Sequence, residues 1–156
     1  MRLLVAAVGQ RMPAWAEQAW GEYSRRFPPS LKLELKQIRL PKRAKNADVV
    51  AARNAEGQDL LAAVPTGALV VALDERGKQW TTREFSARFE SWMQEGRDVA
   101  FLVGGPDGLS QECKSRADLS WALGRATYPH ALARVMMVEQ LYRAWTVTQN
   151  HPYHRD

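Results

Sequence analysis

The chain has 156 residues, 46% hydrophobic and 25% charged, which suits one domain with its own core and excludes a disordered, collagen-like or disulfide-scaffold protein. No run approaches the length of a membrane span, and the single cysteine, Cys113, excludes an intrachain disulfide or a cysteine-based metal cluster and fits a reducing, cytoplasmic setting. A net charge of +5 and a pI of about 9.7 suit an anionic partner such as RNA without requiring one.

Arg2 to Val8 predicts a first strand closed by Gly9, because its apolar run is too brief for a signal sequence. Pro13 suits a helix start, and Trp15, Ala19, Trp20, Tyr23 and Phe27 then recur at helical spacing, opposite Glu17, Glu22, Arg25 and Arg26. That pattern predicts a buried aromatic stripe, ended by Pro28-Pro29. Leu31 to Lys36 alternates apolar and polar residues and reads as a half-buried strand. Lys36, Arg39, Lys42, Arg43 and Lys45 follow with no acid among them, a candidate phosphate-binding loop. Neutralising Lys42 and Arg43 should flatten the slope of log affinity for RNA against log salt by roughly 1.5, measured by salt titration of binding.

Asn46 to Ala63 predicts a helix with Asn46 as its cap. Ala68 to Leu73 predicts a buried strand that closes on Asp74-Glu75-Arg76-Gly77-Lys78, where acidic residues at a strand's carboxyl end suit a ligand. Thr81 or Thr82 caps a helix to about Glu95 with Phe85, Phe89 and Trp92 on one side, and Gly96 ends it. Val99 to Val103 predicts a strand buried on both faces. It enters Gly104-Gly105-Pro106-Asp107-Gly108, a turn that leaves backbone open to a ligand. The spacing is neither G-x-G-x-x-G nor a P-loop, which argues against a nucleotide hydrolase.

Ser110 suits the cap of a short helix carrying Cys113, expected to be a small buried residue. Asp118 to His130 reads as a short strand and a long turn. His130 to about Thr148 predicts the last helix, apolar around nearly its whole circumference, so a subunit interface is a natural way to bury it. Glu139 and Arg143 are spaced to pair along it, and His130, after Pro129, reads mainly as a structural residue at its start. The tail, His151-Pro152-Tyr153-His154-Arg155, is chemically dense but has too few ligands for a metal site. Strands alternating with helices predict an α/β domain with a mainly parallel sheet flanked by helices.

The motifs Tyr23-Ser24-Arg25-Arg26-Phe27, Leu73-Asp74, Phe101 to Gly108, Tyr128-Pro129-His130, Glu139 to Trp145 and His151 to Arg155 resemble the bacterial large-subunit ribosomal RNA methyltransferase H family, of the SPOUT class, from end to end. The resemblance implies a single SPOUT domain over residues 1–156 with an α/β knot formed by the C-terminal segment. It also implies a cytoplasmic homodimer whose active site draws on both subunits, and S-adenosylmethionine as cofactor. The implied reaction is methylation of N3 of a pseudouridine in 23S ribosomal RNA on the assembled ribosome. No metal, membrane or DNA partner is implied. Carried over by motif, the cofactor site is Leu73, Gly104, Gly105 and the loop Leu123, Gly124, Arg125, Ala126, Thr127 and Tyr128. The loop departs from the family where many members have a serine near Gly124 and Leu-Thr-Leu in place of Ala126-Thr127-Tyr128, so backbone groups are expected to make most contacts there.

N3 of pseudouridine becomes nucleophilic as its proton leaves, so a base that titrates near neutrality is expected, and His154 is the candidate. Tyr153 is expected to stack on or hydrogen-bond the target base, Arg155 to hold phosphate or the developing anion, and Glu139 and Arg143 to orient the site across the dimer. Methylation of transfer RNA by the same fold, or a non-catalytic ribosome-binding role, are the alternatives, separated by substrate choice and by cofactor binding.

Overall fold

The computed structural model describes residues 1–9, 11–40 and 48–155. Five strands, β1 (Arg2–Val8), β2 (Lys32–Ile38), β3 (Leu69–Lys78), β4 (Val99–Val103) and β5 (Leu119–Trp121), form one sheet in the order β2-β1-β4-β3-β5. Every pairing in it is parallel. Five helices alternate with them: α1 (Ala14–Ser24), α2 (Val49–Ala62), α3 (Thr82–Glu95), α4 (Gln111–Arg116) and α5 (His130–Thr148).

The central strands are covered on both faces, which is why β1 and β4 read as unbroken apolar runs. On one face Leu3, Val5, Phe101 and Val103 pack with Trp20 of α1, Phe85, Phe89 and Trp92 of α3, and Met137, Val138 and Leu141 of α5. On the other, Ala6, Val8, Val70 and Leu102 pack with Leu60 of α2 and Cys113 of α4. Each fully buried large side chain in these layers contributes roughly 1.5–3 kcal/mol. Cys113 has the expected structural role: burial raises its pKa, and its thiol lies 3.4 Å from the Gly57 carbonyl oxygen.

Three features differ from the sequence reading. β3 does not close at Leu73 but runs on to Lys78, which pairs with Trp121 across a register shift after Leu73. The described cap of α2 is Asp48, whose carboxylate accepts from the amides of Val50 and Ala51, while Asn46 and the basic Lys42, Arg43 and Lys45 lie outside the described residues. Trp15 is 55% exposed, so the aromatic stripe of α1 buries Trp20 but not Trp15. Elsewhere the local signals hold: Thr81 forms a reciprocal capping box with Glu84, and Ser110 caps α4 through the Cys113 amide.

Candidate active site

A cavity of about 770 Å³ opens at the carboxyl end of β4 and beside the middle of β3, the side of the sheet where parallel α/β proteins take ligands. Its walls are residues 73–76 of β3, residues 103–109 at the end of β4 and the turn after it, Lys114 of α4, and the loop before α5, with His130 and Ala133 of α5 itself. This volume falls within the roughly 300–1,000 Å³ usual for small-molecule and cofactor sites. Of the expected cofactor residues, Leu73, Gly104, Gly105, Leu123, Gly124, Ala126, Thr127 and Tyr128 all line it; Arg125 is not one of the walls.

The turn is built for close approach. A side chain on Gly104 would run into the backbone of Gly108 and Leu109, and one on Gly124 would strike the Tyr128 ring. The Gly108 amide donates to the Gly105 carbonyl at 3.0 Å, closing the turn. The loop before α5 is tied to β3 by the Thr127 hydroxyl, 3.2 Å from Glu75 Oε2. Lys114 Nζ lies 3.7 Å from Asp74 Oδ2 on another wall.

Sequence reasoning did not place His130 or Ala133 at this cavity. His130 Nε2 lies 2.9 Å from the Val8 carbonyl oxygen at the end of β1. The Arg134 guanidinium, only 2% exposed, donates to the carbonyls of Val8 and Gly9 at 3.0 Å each and to Gln37 Oε1 at 3.3 Å. Burial pushes the pKa of both side chains down, and for His130 the neighbouring Arg134 charge adds to the effect. The Pro-His at a helix start was the visible signal, but the partner carbonyl lies far away in sequence.

The other expected catalytic residues form a second group. After α5 the chain reverses through Asn150, whose φ is 53°, and the His151 amide donates back to the Thr146 carbonyl at 3.0 Å. This lays the tail along α5. The Tyr153 hydroxyl donates to Glu139 Oε1 at 2.9 Å, and that same oxygen accepts from Arg143 Nε at 2.9 Å and Nη2 at 2.6 Å. Burial, with the hydrogen bonds to Tyr23 and Glu139, pushes the Tyr153 phenol well above its ordinary range, so it stays protonated. The bond to Glu139 raises the pKa of Arg143. The Tyr153 ring meets Tyr142 edge-on at 4.7 Å, with the Arg143 guanidinium 5.0 Å from its centroid. Both hydroxyl and ring of Tyr153 are therefore engaged within its own chain, which leaves little of it for a target base. His154 follows half-buried, its Nδ1 without a hydrogen-bond partner among the described residues, and Arg155 is exposed.

None of Glu139, Arg143, Tyr153, His154 and Arg155 lines the cavity of the same chain. The Glu139–Arg143 pair forms within one helix. Among the described residues there is no cluster of histidine, cysteine and carboxylate side chains able to hold a metal ion, and no helix is long and apolar enough to cross a membrane.

The cavity fits a nucleoside bearing a short charged chain. It offers walls of glycine at Gly104 and Gly105, apolar walls from Leu73, Val103 and Leu123, and the carboxylates of Asp74, Glu75 and Asp107 for a positive group. Comparison with known proteins agrees. The family model described as "Predicted SPOUT methyltransferase" matches residues 1–154. The ribosomal RNA large subunit methyltransferase H of Thioalkalivibrio sulfidiphilus (strain HL-EbGR7) is 51% identical over 156 residues, covering all of both chains. A match over this whole length, on a sheet and cavity of the expected kind, means that the chain belongs to the SPOUT methyltransferases, in the large-subunit ribosomal RNA methyltransferase H family.

Proposed function

We propose that this protein methylates N3 of a pseudouridine in 23S ribosomal RNA on the assembled ribosome, using S-adenosylmethionine. The observation that carries this reading is the cavity, which gathers the turn after β4 and the loop before α5 around one ligand-sized space in a chain related end to end to a ribosomal RNA methyltransferase. The whole of residues 1–156 acts as one SPOUT domain in the cytoplasm, where ribosomes are, with the segment from Leu123 onward forming the family's knot.

Bound in the cavity, S-adenosylmethionine supplies an electrophilic methyl group. Gly104, Gly105 and the loop from Leu123 to Tyr128 would hold its nucleoside and amino-acid parts, and the wall carboxylates suit its positive charge. His154 takes the N3 proton as the base becomes nucleophilic, and Arg155 holds phosphate or the developing anion. Glu139, Arg143 and Tyr153 fasten the tail that carries them.

The protein works as a homodimer in which the tail of one subunit serves the cavity of the other. Two observations support this: the tail residues lie off the cavity of their own chain, and α5 leaves a stripe of Leu132, Val135, Met136, Glu139, Gln140 and Arg143 only partly covered. Leu132 is 37% exposed in the single chain. A Leu132→Glu variant should dimerise at least about tenfold more weakly in sedimentation equilibrium, as expected for a charge set into an interface core, while each chain still binds cofactor.

The test is to incubate the protein with labelled S-adenosylmethionine and ribosomes lacking the modification, beside free ribosomal RNA and transfer RNA, and to map the labelled nucleotide. Label on a pseudouridine of assembled ribosomes is the expected result. Label on transfer RNA alone would overturn the substrate assignment, and absence of any label together with absence of cofactor binding would overturn the enzyme reading.

A further inference from the structure

We propose that His130 is a cofactor-binding residue, whose Nδ1 accepts a hydrogen bond from an N–H group of S-adenosylmethionine while the ring is uncharged. The inference rests on the reading of the cavity as the cofactor site, and extends it to a residue that was not among the expected cofactor contacts.

The geometry fixes what this ring can offer. A backbone carbonyl can only accept, so the Nε2 atom 2.9 Å from the Val8 oxygen carries a hydrogen. In a neutral imidazole the other nitrogen, Nδ1, is then an acceptor and nothing else. The ring is fixed at the end of a central strand whose last carbonyl is held also by Arg134, so its position is set by the core and not by a mobile loop. His130 is the one histidine among the described cavity walls, since His151 and His154 lie on the tail.

The chemistry of the ligand matches. S-adenosylmethionine presents N–H donors at its ammonium and adenine amino groups and carries a positive sulfonium. A protonated His130 would lose its acceptor and add a like charge. The surroundings favour the neutral ring. Arg134 lies one turn along α5, and Arg76 of β3 and Lys114 of α4 bring further positive charge to the walls, against Asp74 and Glu75 of β3 and Asp107 of the turn. Glu56 of α2 comes near the same region at Gly105. Side-chain carboxylate, ammonium and guanidinium groups ordinarily titrate outside the range near neutrality, so among the protein's wall groups a histidine is the natural source of a change there. Burial and Arg134 move the His130 transition below the ordinary 6.5.

The experiment is calorimetric titration of the full-length protein with S-adenosylmethionine from about pH 8 to about pH 5, repeated on His130→Gln and His130→Ala. Glutamine can donate to Val8 with its amide nitrogen and accept with its oxygen, so it separates the hydrogen bond from the charge. Wild type should lose affinity with acid, approaching tenfold per pH unit below the His130 transition. His130→Gln should bind with a flat profile, and His130→Ala should bind about tenfold more weakly at the alkaline end. Nitrogen chemical shifts of labelled histidine should report an Nε2–H ring whose Nδ1 signal moves on adding cofactor. Equal pH profiles for wild type and His130→Gln, or an unmoved Nδ1 signal, would overturn the proposal. A wild-type protein that takes up no S-adenosylmethionine at any pH would overturn the underlying reading as well, a result distinct from either.

Discussion

Replacing His154 by alanine should lower single-turnover methylation of ribosomes by about 10²–10⁴-fold, the usual share of a positioned acid or base, with S-adenosylmethionine binding unchanged. The separation of effects follows from the structure: His154 does not line the cavity of its own chain, so removing its ring leaves that chain's cofactor contacts in place. The Nδ1 of the half-buried ring is buried and has no hydrogen-bond partner among the described residues, whereas the neighbouring phenol is bonded to Glu139. Tyr153 is held protonated by burial and by Glu139, so it cannot replace the lost base. Full turnover by His154→Ala with intact cofactor binding would remove the residue from the chemistry.

Replacing Arg143 by methionine should cut turnover on ribosomes by about 10²-fold, as expected when a reacting group is displaced by an ångström or so. Methionine keeps much of the stem's packing and deletes the charge. Glu139 Oε1 then loses two of its donors, at 2.6 and 2.9 Å, and the carboxylate that anchors the Tyr153 hydroxyl is held, among the described residues, only by that hydroxyl and by Gln140 Nε2 on its other oxygen. The pair is partly exposed, at 28% and 17% of side-chain surface, so the stability cost should stay near 1–2 kcal/mol. The check is to measure turnover and thermal unfolding on the same preparations. A turnover loss far larger than the destabilisation explains would identify a positioning residue, and Arg143→Lys should recover part of it. Parallel losses would reduce the pair to a helix-stabilising contact.

The readable parts of the chain were those set by local chemistry. Val99 to Val103 announced a doubly covered strand because no position in it tolerates water, and Gly104 announced a close approach because a side chain there meets Gly108. The second half of β3 was hidden because Asp74-Glu75-Arg76 has the composition of a turn; its pairing is earned by Trp121, a partner over 40 residues away. Trp15 was misread because, at 3.6 residues per turn, it lies well over a quarter-turn from the buried Trp20 and so falls at the margin of the stripe. The cavity walls given by the turn and by the loop from Leu123 to Tyr128, Arg125 excepted, are residues that the resemblance named. The contact of Tyr153 with Glu139, and the meeting of His130 with Val8, were not legible, because each is a tertiary contact with no sequence period.

That the tail and the cavity stand apart on one chain has a genetic consequence. In the proposed homodimer, a subunit with a ruined tail and a subunit with a blocked cavity would each be inactive as a pure population. In a mixed pair, one of the two sites would combine the sound cavity of the first partner with the sound tail of the second. Co-expressing His154→Ala with Gly104→Val should therefore restore methylation that neither allele supports alone. A strain carrying one damaging allele of each kind would be modified where a strain with two of the same kind is not.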